Sequence, residues 1–356
     1  MNNQSYTASS VTAGMQCPML YKIKYVLGYR SDASSAMKTG TLVHKGLEQY
    51  WLWKPIHESI NTMYKLAYGG DEIDWWESDE GQIAWAKCTA YIRGYYKKYR
   101  DNEPLLKGVP EGNHVDVYVE REFSYDWLGI TYQGKIDLII HDHITGEVVI
   151  MDHKTTGSSL AGYFDRLPLD VQLTLYRQAV IRMFPHLSEK GTPLPRVFYD
   201  VIGTTRSVPK QKNKAMGGKS VVRRKDETDE ELAARKEANQ ETIAEFQCRM
   251  ALEYTSDDCE KYVRREIVCT SAQHCRRLIE IEDYVKLLED KGFLEIRNST
   301  SCGNYGGCAF VGVCVGRESL DDLHGISQSE RKHPELSGSV GLEQWVSFND
   351  PSEEER

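Results

Sequence analysis

Residues 134–156, GKIDLIIHDHITGEVVIMDHKTT, restrict this chain more than any other segment. Two apolar runs, Leu138–Ile140 and Val148–Ile150, flank a Thr-Gly turn signal. Apolar runs bounded by turn residues read as the paired strands of a hairpin. A turn midpoint near Ile144–Thr145 sets Asp137 opposite Asp152. Side chains alternate along a strand, so Asp152 and Lys154 share one face. Two carboxylates and an amine thus converge at the end of an otherwise apolar hairpin. Hard oxygen ligands of this kind suit Mg²⁺ or Mn²⁺. Such an ion activates water and neutralises charge at a phosphate, while a lysine orients or deprotonates the attacking water. A surface hairpin carrying an Asp–Lys ion pair of small energetic weight is the plainer account, and the D-x-K spacing alone does not separate the two.

The flanking sequence places this hairpin in a mixed α/β chain. Apolar residues at helical spacing predict helices over Met15–Tyr25, capped by Ser9 or Ser10, around Leu42–Tyr50, and over Gly81–Tyr99. Alternation from His114 to Phe123 predicts a strand before the hairpin strands Ile130–Ile140 and Glu147–Lys154. A helix is expected over Leu169–Met183, a strand over Val197–Ile202, one charged helix over Asp226–Tyr254, a strand over Tyr262–Cys269, and a helix capped by Thr270 or Ser271 reaching Leu288. Glu120 and Glu122, two apart, are candidates for a further carboxylate, and a solvated strand face explains them equally well. His141 and His143 read as turn residues.

Charge bears on partners. A net charge of −9 argues against unspecific coating of nucleic acid, yet Arg206–Lys225 holds eight Lys/Arg and no acid. Lys210, Lys212, Lys214, Arg223 and Arg224 are candidate contacts to a phosphate backbone, with a solvated mobile loop as the simpler reading. No run approaches the roughly 20 apolar residues of a membrane span, and MNNQSYTASS has no leader pattern, so a cytoplasmic protein without membrane partners is expected. No Walker A pattern is present, so no nucleotide cofactor is expected.

The nine cysteines are uneven. Cys302, Cys308 and Cys314 fall within thirteen residues of a Gly-rich stretch, Cys17 stands alone near the N-terminus, and the other five read as small buried hydrophobes.

These motifs resemble those of RecB-like PD-(D/E)XK nucleases. Gly134-x-x-Asp137, Asp152-His153-Lys154 and Gln172-x-x-x-Tyr176 are similar to that family's motif II, motif III and QxxxY, and Gly40-Thr41-Leu42-Val43-His44 with Glu48 to its motif I. The resemblance implies a restriction-endonuclease-like α/β core, a small mixed sheet flanked by helices. It implies Asp137, Asp152, the His153 carbonyl and His44 as metal ligands, and Lys154 as the catalytic lysine. Gln172 and Tyr176, one turn apart, would contact DNA or brace the site. The products would be a 5′-phosphate and a 3′-hydroxyl. One early and three late cysteines look like the 4Fe–4S staple of AddB-type and CRISPR-adaptation nucleases, with Cys17, Cys302, Cys308 and Cys314 as ligands. Many members space the late triplet C-x2-C-x5-C, whereas here both gaps are five. Zinc is the alternative occupant of four thiolates.

The expectation is therefore one nuclease domain over residues 1–316, in which 1–105 is helical, 114–203 is the catalytic core, 206–225 a basic loop and 226–316 a helical part with the cysteines. Residues 317–356 are expected to be a polar disordered tail. The function expected is that of a metal-dependent deoxyribonuclease, of exonuclease type, in recombination, repair or phage DNA processing. A nuclease-fold DNA-binding subunit of weak activity and a cysteine–metal scaffold are the rivals. Oligomeric state, polarity and strand preference are not legible.

Overall fold

One hairpin and the two strands beside it set the frame of the molecule. The computed structural model describes residues 5–101, 103, 105, 114–158, 164, 167–189, 191–212, 221–303, 307–320, 325–329, 332, 333 and 336. β3 (Val115–Trp127) and β4 (Ile130–Asp142) are antiparallel, in register from Val115↔Asp142 to Trp127↔Ile130. Leu128 and Gly129 join them with φ of 50° and 84°, the mirror-image turn whose twist matches a hairpin. β5 (Val148–Thr156) pairs with β4 only over Leu138–His141. It then runs parallel to β6 (Arg196–Gly203), from Val149↔Arg196 to Thr156↔Gly203. β7 (Tyr262–Glu266) adds antiparallel to β6, and β1 (Ser5–Tyr6) lies parallel to β4 at Thr131–Tyr132. One edge of β4 is therefore shared by β1 and β5, and β5 leaves β4 at Asp137.

A parallel β5–β6 pair requires a crossover, which α7 (Val171–Met183) supplies. Both sheet faces are covered, so the hairpin strands read as continuous apolar runs rather than alternating ones. Ile139, Ile150, Val197 and Val201 pack on one side with α7, α1 (Ala8–Gln16) and α10 (Ser271–Leu288). Leu138, Ile140, Met151 and Ile202 pack on the other with α3 (Ser35–Trp51), α6 (Asp79–Tyr99) and α9 (Ile243–Tyr254). Between α3 and α6, α4 (Ile56–Tyr68) and α5 (Ile73–Glu77) complete a helical layer on that second face.

Several local expectations are corrected. The first helix begins at Thr7, not Ser9 or Ser10: Thr7 caps it in a capping box with Ser10. It breaks at Cys17 before α2 (Pro18–Tyr21) and a π-helical turn over Lys22–Val26, because Pro18 has no N–H to continue the ladder and favours a first-turn position. The single charged helix expected over Asp226–Tyr254 is two, α8 (Asp229–Ala238) and α9. Thr242 with Glu245 forms a fresh capping box that starts the second. The strand expected to reach Cys269 stops at Glu266, while Thr270 caps α10 as one of the two residues named. Most of the tail after Gly316, including 337–356, lies outside the described residues. Within the described part, Ile326–Gln328 forms β8, antiparallel to β2 (Tyr29–Ser31). His333 is buried, its Nε2 2.9 Å from the Ser5 carbonyl. Ladder hydrogen bonds to the N-terminal segment hold this stretch despite its polar composition.

Candidate active site

The point where β5 leaves β4 is where the acidic residues collect. Asp137 and Asp152 stand one step beyond the last β4–β5 pair, Leu138↔Met151, so they face each other across the opening gap. On the other edge of β4, Glu120 occupies the register position opposite Asp137, between the pairs Val119↔Leu138 and Arg121↔Ile136. Its φ of 53° interrupts β3 there. A non-glycine residue held in this region is uncommon and costs of order 1–3 kcal/mol. The result is a row of carboxylates, Glu120, Asp137 and Asp152, across three strands. Gly134, opposite Phe123 in the same hairpin, leaves no room for a side chain: a Cβ would sit 2.7 Å from the Phe123 ring.

α3 brings His44 over the row. Its Nδ1 is 3.5 Å from Asp137 Oδ2, and one ligand atom from each of His44, Glu120 and Asp137 lies within 4.8 Å of the others. Burial holds the His44 imidazole down at about 4, against the opposing pull of Asp137, so the ring is neutral near pH 7 and has a lone pair to give. Burial would raise Asp137, but His44, Lys154 and His153 outweigh it and hold it below the ordinary carboxylate range. The His153 N–H donates to Asp137 Oδ2 at 2.8 Å and fixes that carboxylate. Glu120 is raised by burial and by Asp137, against Lys135, whose ammonium lies 2.5 Å away. Glu122 sits beside Lys135 in the register, off the row, and of the two strand glutamates the structure brings only Glu120 into the ligand group. Glu48, on α3, pairs with Lys45 at 2.6 Å.

Asp152 is fully buried, and burial raises its carboxyl, an effect Lys154 offsets only in part. Lys154 Nζ ion-pairs with Asp152 Oδ2 at 2.8 Å, while Asp152 Oδ1 has no hydrogen-bond partner. A buried carboxylate oxygen left in this state fits a cation that completes it. The donors, one neutral imidazole and carboxylate oxygens, suit Mg²⁺ or Mn²⁺, with the imidazole favouring Mn²⁺.

α7 fixes the lysine. Asp170 caps this helix, accepting from the N–H groups of Gln172 and Leu173. Gln172 Oε1 accepts from Lys154 Nζ at 3.1 Å, and Gln172 Nε2 donates to the Tyr176 hydroxyl at 2.6 Å. Tyr176 donates in turn to the Lys135 carbonyl. Helical i, i+4 spacing places Gln172 and Tyr176 in one line reaching from the lysine back to β4.

A second buried layer was not legible in the sequence. Asp200, the lone acid in the apolar run VFYDVIG of β6, is fully buried. It accepts from Tyr95 OH at 2.5 Å and from His153 Nδ1 at 3.0 Å, and ion-pairs with Arg264 Nε at 3.3 Å. Arg264 also binds Glu103, which accepts from Tyr50 OH at 3.0 Å. This network clamps the His153 ring. Its only signal in the sequence is a charged residue inside an apolar strand.

The cysteines meet at the far end of α1. Cys17, Cys308 and Cys314 pack around Met19, Ile23 and Phe310, with Cys314 just inside α11 (Val311–Cys314). The Cys308 N–H donates to the Cys302 carbonyl at 2.8 Å, and the Asn298 N–H donates to Cys17 Sγ at 3.4 Å. Among the described residues, these sulfurs do not form a group within 4.8 Å of one another as the nuclease-site ligands do. Of the remaining five, only Cys88 is buried, while Cys248 and Cys275 are exposed, because they fall on outward helix faces.

The basic stretch is less free than its sequence suggests. Lys212 pairs with Glu245 at 3.1 Å and Arg223 with Asp229 at 2.7 Å, acids supplied by α8 and α9. The Lys210 and Arg224 backbone N–H groups donate to Glu241 and Glu227. Lys214 lies outside the described residues.

Among known proteins, residues 5–314 match the family profile described as the PD-(D/E)XK nuclease superfamily. None of the curated proteins matches the chain in sequence. A solved protein from Eubacterium rectale, provisionally described as an exonuclease, is 12% identical with a TM-score of 0.44, covering 95% of each chain. A second, SSO0001, is 12% identical with a TM-score of 0.30, over 90% of this chain and 89% of that one.

Proposed function

Because the chain belongs to the PD-(D/E)XK nuclease superfamily, we propose that it is a divalent-metal-dependent deoxyribonuclease, of exonuclease type, acting in DNA recombination, repair or phage DNA processing. The observation that carries this reading is the group of His44, Glu120 and Asp137, with Asp152 one step past the last β4–β5 pair and Lys154 2.8 Å from it. His44, Asp137, Asp152 and Glu120, with the His153 carbonyl, are the residues that would hold the ion. The chemistry a bound Mg²⁺ or Mn²⁺ supplies is an activated water and neutralisation of charge at the phosphate. The chain's own contribution is positional. Asp152 and Gln172 hold the Lys154 ammonium, which orients the attacking water and offsets charge building on the phosphoryl oxygens. Tyr176 ties Gln172 to β4 and limits the swing of that amine. Lys210, Lys212, Lys214, Arg223 and Arg224 are the proposed backbone contacts; the exposed ion pairs of Lys212 and Arg223 are worth little and exchange readily for phosphates.

Cys17, Cys302, Cys308 and Cys314 are proposed to hold a 4Fe–4S cluster that joins the chain's ends, closing a loop whose entropy opposes docking. Four thiolates drawn from the two ends of the chain are the ligand set that such a cluster requires, with zinc as the alternative occupant.

The test is digestion of end-labelled linear and of circular DNA with Mn²⁺ or Mg²⁺ by the parent and by Asp152→Ala. The parent should shorten linear DNA from its ends and spare circles, and the variant should lose about 100-fold or more, as when one charge-stabilising group is removed. Equal cleavage by both proteins refutes the mechanism, and cutting of circles refutes the exonuclease reading.

A further inference from the structure

At the opposite end of the same hairpin, where the sequence suggested only turn residues, lies a second group of metal-type donors. Asp116 and His141 are directly opposed in the β3–β4 register, and His143 follows as β4 turns. One ligand atom from each lies within 4.8 Å of the other two. His141 is only 9% exposed, and its Nδ1 has no hydrogen-bond partner, a state buried polar atoms rarely keep without a water or ion. Its ring is held between His143 at 4.3 Å and Phe184 at 4.7 Å, with His186 stacked at 5.6 Å. Asp116 is buried and already oriented, accepting from Tyr118 OH at 2.9 Å and lying 2.7 Å from His143 Nε2. A ligating carboxylate steadied by an outer hydrogen bond is what built metal sites show. A His–Asp pair alone would account for Asp116 and His143 but leaves the buried His141 nitrogen unexplained.

We propose that Asp116, His141 and His143 form a second metal site, for Zn²⁺ or a similar transition ion, that pins β3, β4 and the turn after it. Two imidazoles and one carboxylate are a zinc-type set, unlike the oxygen-rich set around Asp137. Bonds of about 2.0–2.1 Å in a tetrahedron set donors roughly 3.3 Å apart, so His141 draws in from within 4.8 Å while the 2.7 Å contact between Asp116 and His143 opens by about half an ångström. The fourth position is left to water, and the His143 side chain, 46% exposed, gives the ion access. His141 is four residues along β4 from Asp137, roughly 14 Å away at the strand rise, so the site is distinct from the nuclease centre.

The experiment equilibrates the full chain with buffered Zn²⁺, then measures bound zinc by elemental analysis and the zinc-dependent rise in Tm. It compares the parent with His141→Asn, His143→Gln and, as a control at the other centre, His44→Ala. One zinc equivalent and its Tm rise should vanish in His141→Asn and His143→Gln, with zinc affinity at least about 10- to 100-fold weaker, and persist in His44→Ala. If His141→Asn fails to fold, His143→Gln at the half-exposed turn decides the matter. Unchanged zinc content and Tm rise in the His141 and His143 variants, or loss only in His44→Ala, overturns the proposal. Because zinc binding is read without DNA, failure here leaves the nuclease reading standing, and the reverse also holds.

Discussion

Replacing Asp200 with asparagine is the sharpest perturbation of this structure, because it changes charge without changing shape. The carboxylate accepts from Tyr95 OH at 2.5 Å and His153 Nδ1 at 3.0 Å, and faces Arg264 at 3.3 Å, all in the interior. An amide in its place removes the counter-charge and turns NH₂ protons toward groups that also donate. Breaking a buried ion pair by removing one partner costs about 3–5 kcal/mol, since the remaining charge is left uncompensated. Glu103 stays bound to Arg264, so the lower end, about 3 kcal/mol, is expected. Domains of ordinary stability, roughly 5–15 kcal/mol, survive this, so Asp200→Asn should fold and denature in urea at a lower midpoint. The pH dependence gives a second check. Burial would raise the Asp200 carboxyl, but Arg264, His153 and Tyr95 outweigh it and hold it well below the usual range. A depressed folded pKa means the stabilisation is complete above the unfolded value, about 3.9, and is lost as pH falls through the folded value. The gap between parent and variant should therefore hold steady from pH 7 to 5 and narrow below about pH 4. Arg264→Met should cost less in the Asp200→Asn background than in the parent, because it no longer strands a buried carboxylate. A gap below about 1 kcal/mol at pH 7, or one that widens with acid, refutes the reasoning.

Further outcomes follow from the same geometry. Glu120→Gln should raise the Mn²⁺ concentration for half-maximal cleavage by about 10- to 100-fold, while Glu122→Gln, off the carboxylate row, should leave it unchanged; a titration of cleavage against Mn²⁺ reads both. Tyr176→Phe leaves the Lys135 carbonyl and Gln172 without their shared hydroxyl and should cost about 1–3 kcal/mol in urea denaturation. Cys17→Ser should abolish the brown charge-transfer colour of anaerobically purified protein and lower the protein's Tm, measured by absorbance and calorimetry; a colour unchanged by the substitution would remove Cys17 from the ligand set.

Much of the site was legible because its information is local. Two apolar runs about a turn of known midpoint set which residues oppose which, and the last β4–β5 pair, Leu138↔Met151, leaves Asp137 and Asp152 at the next positions on the two strands. Helical spacing likewise put Gln172 and Tyr176 in one line. Glu120 and Glu122 were indistinguishable, since an unbroken strand sends both to one face. The left-handed φ of Glu120 breaks that symmetry, and no residue-level rule anticipates it. Arg206–Lys225 looked acid-free because the acids that answer it come from α8 and α9, later in the chain.

What the sequence determined by itself was the hairpin, the order of its elements and the kind of chemistry its charged residues suit, all set by periods of two and 3.6 and by turn residues. Only the tertiary structure decided that His44 from α3 hangs over Asp137, that Asp200, Arg264 and Glu103 from distant segments share one buried network, and that Asp116, His141 and His143 leave an unpartnered nitrogen in the interior. Those arrangements depend on which surfaces pack, and burial turns a side chain that would be commonplace in water into one that must find a partner.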